Sequence, residues 1–219
     1  MLKELLEKNE EEYDWSDYSN LFGPHLPAGT YEEVMYFLPK AFTYLKSHEE
    51  DALDLVTAVF GFCSINLNYL EKDGLDNIVK QEIIDCLNYW TRDFRIVHYD
   101  QNACQDKGWR LSHNDLVINS EVICEGTSDL VRFESLAELA VQFVRSLAIC
   151  EGNIVKASWF IEYSRARFDV YTPPDNSEIM NLLTNEKLLN EAYATVWPVA
   201  VDEKASPTYW KETFNKLGI

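Results

Sequence analysis

TYEEVMYFLPKAFTYLKSHEEDALDLVTAVFGFCSINLNYLEKDGLDNIVKQEIIDCLNYW, residues 30–90, decides the fold. Val34, Phe37, Leu38, Ala41, Phe42 and Leu45 recur at the 3.6-residue period of a helix with one apolar face. Thr30-Tyr31-Glu32-Glu33 reads as a capping box that opens this helix. Pro39 lies inside it, removes one backbone donor and predicts a kink or a first-turn break. Ser47-His48-Glu49-Glu50 reads as a second box. Behind it Ala52, Val56, Val59, Phe60, Cys63, Leu67 and Leu70 form a long stripe that Asp73-Gly74 ends. Leu75, Ile78, Val79, Ile83, Cys86, Leu87 and Trp90 make a third stripe. Short connections between long amphipathic helices predict antiparallel neighbours. The fold class expected is therefore mainly α, an antiparallel helical bundle or stacked helix pairs.

Before this stretch, residues 1–29 read as an N-terminal arm, with a short helix over residues 2–12. Residues 30–219 read as a single mainly helical domain with a sub-boundary near residue 94. From there the pattern changes. Residues 94–99, 109–113, 116–124 and 130–133 are short and rich in β-branched and aromatic side chains, and turn signals separate them at Lys107-Gly108, Asn114-Asp115 and Glu125-Gly126. They predict a small antiparallel β-sheet near residues 94–133. Helical patterning returns at Ser135-Leu136-Ala137-Glu138, a third capping box, and continues through Leu139, Phe143 and Leu147. Residues 154–171 suit helix and strand alike. Two short helices follow over residues 179–196, ended by Trp197-Pro198. Ser206-Pro207 opens a last helix.

Composition narrows the function. The chain of 219 residues carries 37 Asp+Glu against 19 Lys+Arg, a formal charge of −18. Phosphate neutralisation needs a basic face, so ordinary nucleic-acid binding is not expected. A hydrophobic content of 47% is too high for a chain disordered throughout. No apolar run reaches the roughly 18–20 residues of a membrane helix. The start is acidic and amphipathic, unlike a secretory signal. Cys63, Cys86, Cys104, Cys124 and Cys150 are odd in number and widely spaced, which predicts reduced thiols in a cytoplasmic protein.

Phosphate-binding glycine loops are missing from the sequence, as is a nucleophile elbow. The calcium-loop pattern fails at residues 100–111, where Cys104 and Leu111 occupy ligand positions. His98, Cys104, His113 and Cys124 lie at intervals that match no standard zinc pattern, so no metal or other cofactor is expected. The leading expectation is a non-catalytic, acidic, partner-binding protein of the immunity-protein type, which meets a basic protein. Asp14, Trp15, Asp17 and Tyr18 are the candidate contact residues, because aromatics supply contact area and acids supply steering. The alternative is an enzyme with a pocket lined by histidine and cysteine.

Residues 33–42 (EVMYFLPKAF) resemble the "YFLPR"-type helix of a group of bacterial, mainly helical proteins, with Lys40 in place of the arginine. Residues 178–196 (EIMNLLTNEKLLNEAYATV) resemble a late helix pair of the same group. Together the two quoted pieces make up 29 of the 219 residues. The resemblance implies a mainly helical bacterial protein and carries over no catalytic residue.

Overall fold

The computed structural model describes residues 2–9, 12–23, 30–94, 113–132, 136–166, 175–202 and 207–219. It is mainly helical: thirteen helices and no strand occur among the described residues. The chain folds into two compact units, Met1–Cys86 and Leu87–Ile219.

The first unit holds α1 (Leu2–Glu7), α2 (Trp15–Phe22), α3 (Tyr31–Met35), α4 (Leu38–Ser47), α5 (Glu49–Ile65), α6 (Leu67–Lys72) and most of α7 (Asp76–Trp90). The box at Thr30 forms as expected. Its hydroxyl accepts from the Glu33 N–H at 3.4 Å, and the Glu33 carboxylate accepts from the Thr30 N–H at 2.7 Å. Pro39 produces the break rather than a kink: α3 stops at Met35, and the proline sits in the first turn of α4, where its missing N–H is no loss.

The box expected at Ser47 does not form. The hydroxyl donates back to the Thr43 carbonyl at 3.0 Å, so Ser47 closes α4 and His48 stands at the start of α5 without a side-chain cap bond. The long stripe behind it is also interrupted. Asn66 donates its side-chain amide to the Phe62 carbonyl at 2.9 Å, and the helix restarts as α6. At the end of α6, Gly74 takes φ +70, and the Leu75 N–H reaches back to the Leu70 carbonyl at 2.8 Å. That is the left-handed closure which glycine permits without a Cβ penalty.

Helix α5 is the centre of this unit. Ala52, Leu55, Val56, Val59, Phe60 and Cys63 are all buried, and the helix packs against α2, α4 and α6. Tyr13, Tyr18, Leu21 and Phe22 are buried too, so the segment read as an arm contributes to the core. Lys46 of α4 and Glu82 of α7 pair at 2.9 Å.

The second unit holds the end of α7, then α8 (His113–Arg132), α9 (Ala137–Ala148), α10 (Ile154–Ala166), α11 (Ser177–Leu183), α12 (Glu186–Asp202) and α13 (Pro207–Leu217). The small sheet expected near residues 94–133 is corrected over its second half. Residues 116–124 and 130–132 belong to the 20-residue α8, and the turn signals at Asn114-Asp115 and Glu125-Gly126 lie inside it. Buried Val122 and Ile123, Gly126 and Thr127, and Leu130 recur at helical spacing. Thr127 satisfies its hydroxyl within the helix by donating to the Ile123 carbonyl. The other two expected strands, 94–99 and 109–113, lie outside the described residues except for Phe94 and His113.

Helix α9 starts after Leu136, which makes no side-chain cap bond; Ser135 of the expected box is outside the described residues. The break after α9 matches expectation in place. Gly152 takes φ +77, and the Asn153 carboxamide accepts from the Lys156 N–H at 3.1 Å to open α10. Residues 167–171 of the ambiguous stretch lie outside the described residues. Pro198 does not end its helix: α12 runs on to Asp202. Both Pro198 and Ala194 are exposed, so water can reach the carbonyl the proline leaves unpaired. Pro207 opens α13 as expected.

Helix α10 is the axis of this unit, packed by α8, α9, α11, α12 and α13. Every residue from Ala157 to Ser164 is buried. A helix covered on all sides has no polar face, which is why its sequence carries no clear period.

Candidate functional site

Asp14 caps α2. Its carboxylate accepts from the Ser16 N–H at 2.9 Å, the Ser16 hydroxyl at 2.8 Å and the Asp17 N–H at 3.1 Å. The Ser16 hydroxyl bond, followed by the Asp17 backbone bond, holds the Asp14 carboxyl below the usual aspartate range. Asp17 completes a capping box by accepting from the Asp14 N–H at 3.2 Å, and takes the Lys8 ammonium at 2.6 Å. Tyr18 is buried, with its ring 5.9 Å from Tyr13 and 4.8 Å from Tyr44. Of the four residues singled out by sequence, the structure leaves Asp14 and Trp15 at the surface and turns Asp17 and Tyr18 inward.

Replacing the cap has a definite expected result. Asp14→Ala should lower stability by about 1 kcal/mol, the usual worth of an N-cap side chain. The depressed carboxyl fixes the pH sense: its contribution is complete above the unfolded aspartate value and disappears as pH falls through the lower folded value. Denaturant midpoints of the two proteins at neutral and at acid pH should therefore converge on acidification.

The described cysteines are structural in character. Cys63, Cys86, Cys124 and Cys150 are buried. Burial raises the Cys63 thiol well above its ordinary value and pushes Cys86 and Cys124 up to about 12. Such groups are thiols, not nucleophilic thiolates, at neutral pH. Of the four spaced residues His98, Cys104, His113 and Cys124, the structure places only the Cys124 side chain; His98, Cys104 and the side chain of His113 lie outside the described residues. Among the described residues no group of three or more His, Cys, Asp or Glu side chains is arranged to hold a metal ion.

The second unit contains a polar centre that sequence reading misses. Glu162 on α10 is 1% exposed. Arg165, one turn on, donates its Nε to Glu162 at 3.0 Å and its second nitrogen to the other carboxylate oxygen. Tyr209 of α13 donates its hydroxyl to the same carboxylate. Burial and then the Glu162 charge hold the Tyr209 hydroxyl far above its ordinary pKa, so it remains a donor. Close by in the chain, Tyr163 shares a hydrogen bond of 2.6 Å with Thr127 of α8. The one signal in the sequence is the Glu162–Arg165 spacing of three, but such pairs are common on exposed faces and do not announce burial. Every carboxylate oxygen here is engaged by the fold, so the centre reads as a joint between α10 and α13.

No family model matches the chain, and neither the curated proteins nor the solved structures contain a match to it.

Charge distinguishes the two units. Met1–Cys86 carries 18 acids against 6 bases, a net −12, while Leu87–Ile219 carries 19 against 13, a net −6. Two-thirds of the excess therefore sits in the smaller unit. Glu7, Glu12, Asp14, Glu32, Glu33, Asp54, Glu71, Asp73 and Asp85 of that unit are exposed. So are the large apolar side chains Leu6, Trp15, Tyr36, Ile65, Tyr69 and Ile78. Among the described residues no helix is long and apolar enough to cross a membrane.

Proposed function

We propose that this chain is a non-catalytic, acidic, partner-binding protein of the immunity-protein type, and that its partner is a basic protein. The observation that carries the reading is the net −12 of Met1–Cys86. A surface of one sign steers an oppositely charged partner over distances beyond contact and repels acidic competitors. Asp14 and Trp15 belong to this reading as contact residues. Asp17 and Tyr18 support them from below: Asp17 holds the start of α2, and Tyr18 packs its underside. We read the helices as an antiparallel bundle or stacked helix pairs, and the protein as cytoplasmic.

The test is retention of proteins from a native lysate on the immobilised chain at low and at high salt. Screening contracts to about 3 Å at 1 M ionic strength, against about 10 Å at 0.1 M. Basic proteins should be held at low salt and released at high salt. Retention of nothing at low salt, or retention indifferent to salt, would contradict the proposal.

A further inference from the structure

We propose that the aromatic face of Tyr31, Phe62 and Tyr69 in the first unit docks a lysine- or arginine-bearing segment of the basic partner. This deepens the function proposed above and rests on it. Local structure brings the three rings together. Tyr31 opens α3 directly behind its Thr30 cap, and Phe62 lies in the last turn of α5. The interruption at Asn66 starts α6, which carries Tyr69. The Tyr31 centroid is then 5.3 Å from that of Tyr69 and 6.3 Å from that of Phe62, the latter stacked.

Several observations say what covers this face. Tyr69 is 54% exposed, and Ile65, the last residue of α5, is 68% exposed. Isolated exposed apolar side chains are ordinary, whereas a cluster of rings with an exposed member marks a contact surface. Acids border it. Glu32 directly follows Tyr31 and Asp73 directly follows Lys72, both acids are exposed, and burial, followed by the charge of Asp73, pushes the Tyr31 hydroxyl up to about 12. A cation is already received here: the Lys72 ammonium lies 5.3 Å from the Tyr69 centroid. An aromatic face flanked by carboxylates attracts ammonium and guanidinium groups through the ring quadrupole and through charge together. A second copy of this chain is a poor occupant, because it would bring another acidic unit against this one.

The experiment uses the full chain and a fluorescein-labelled peptide of alternating lysine and arginine, with affinity read by anisotropy at low and high salt. Tyr69→Ala should weaken binding by about five- to thirtyfold, the range of a partly desolvated cation–π contact. Tyr36→Ala removes an aromatic that is 58% exposed elsewhere in the same unit, changes no charge, and should leave affinity within about twofold. Tyr69→Phe keeps the ring and should restore binding even if the alanine variant folds poorly. Lys72→Gln removes the resident ammonium and should tighten binding. Equal effects of Tyr69→Ala and Tyr36→Ala on a salt-dependent affinity would overturn the docking face while leaving the proposed function standing. No binding at low salt would overturn both. Self-association that Tyr69→Ala abolishes without changing peptide affinity would assign the face to a second copy and overturn the proposal.

Discussion

Glu162→Ala is expected to lower the stability of the second unit by about 3 kcal/mol. The carboxylate is 1% exposed and is the shared acceptor of Arg165 and Tyr209. Its removal leaves a guanidinium and a phenol facing a void. Loss of one member of a fully buried pair costs about 3–5 kcal/mol, and the Arg165 side chain is 20% exposed, so water relieves part of the penalty and the lower end applies. Glu162→Gln keeps volume and one acceptor oxygen and should cost about 1–2 kcal/mol. Tyr209→Phe removes one hydrogen bond to a charged group and should cost about 1.5–3 kcal/mol. The double variant of Glu162→Ala and Tyr209→Phe should cost less than the two added, because each removes the same bond. Tryptophan fluorescence during denaturation is the suitable readout, since five of the six tryptophans (Trp90, Trp109, Trp159, Trp197 and Trp210) fall within Leu87–Ile219. Strict additivity would show that the Tyr209 bond does not join α13 to α10.

A loss of about 3–5 kcal/mol is expected from Trp159→Ala. Trp159 is 1% exposed on the central helix, and its indole N–H donates to the Asp93 carbonyl at 3.0 Å. Phe94 meets its ring edge-on at 4.8 Å, Trp210 lies 5.7 Å beyond Phe94, and Phe214 and Tyr193 continue the contact. The column therefore connects the segment after α7 with α10, α13 and α12. Truncating its first member opens a cavity and strips the part-buried Asp93 carbonyl of this donor. Trp159→Phe retains most of the packing and loses the hydrogen bond, so it should fall between the alanine variant and the native protein. A change below about 1 kcal/mol for Trp159→Ala would mean that the surroundings collapse into the space, and that this column does not organise the unit.

Local chemistry explains which parts of the fold are legible in the sequence. Thr30 and Glu33 face one another across a single turn, and Pro39 has nowhere to sit but a first turn, so both can be read directly. Ser47 offers the same pattern as Thr30 but spends its hydroxyl on the carbonyl of Thr43. Sequence does not show which way a hydroxyl turns. Helix α8 reads as strands because its β-branched residues and Gly126 look extended in isolation, while tertiary packing of Val122, Ile123 and Leu130 favours the helix. Helix α10 lacks a period because it lacks an exposed side. Pro198 is tolerated where solvent can satisfy the carbonyl it abandons.

The candidate site is legible only in part. Asp14 and Trp15 remain at the surface, but an alternation of acids and aromatics does not reveal that Asp17 binds Lys8 or that Tyr18 lies under Tyr44. The excess of acids toward the N-terminal part can be counted along the chain, but its assignment to one packed unit, Met1–Cys86, is defined by tertiary packing.

The measurement that bears most directly on the proposed function compares two charge-neutralised variants against a basic protein retained by the native chain. One carries Glu32→Gln, Asp54→Asn, Glu71→Gln and Asp85→Asn in the first unit. The other carries Glu138→Gln, Glu186→Gln, Glu191→Gln and Glu212→Gln in the second. All eight positions are exposed, and each set removes four negative charges. If the partner meets the more acidic unit, the first set should weaken affinity far more than the second and flatten its dependence on salt. Equal losses from the two sets, or no loss from either, would contradict the account.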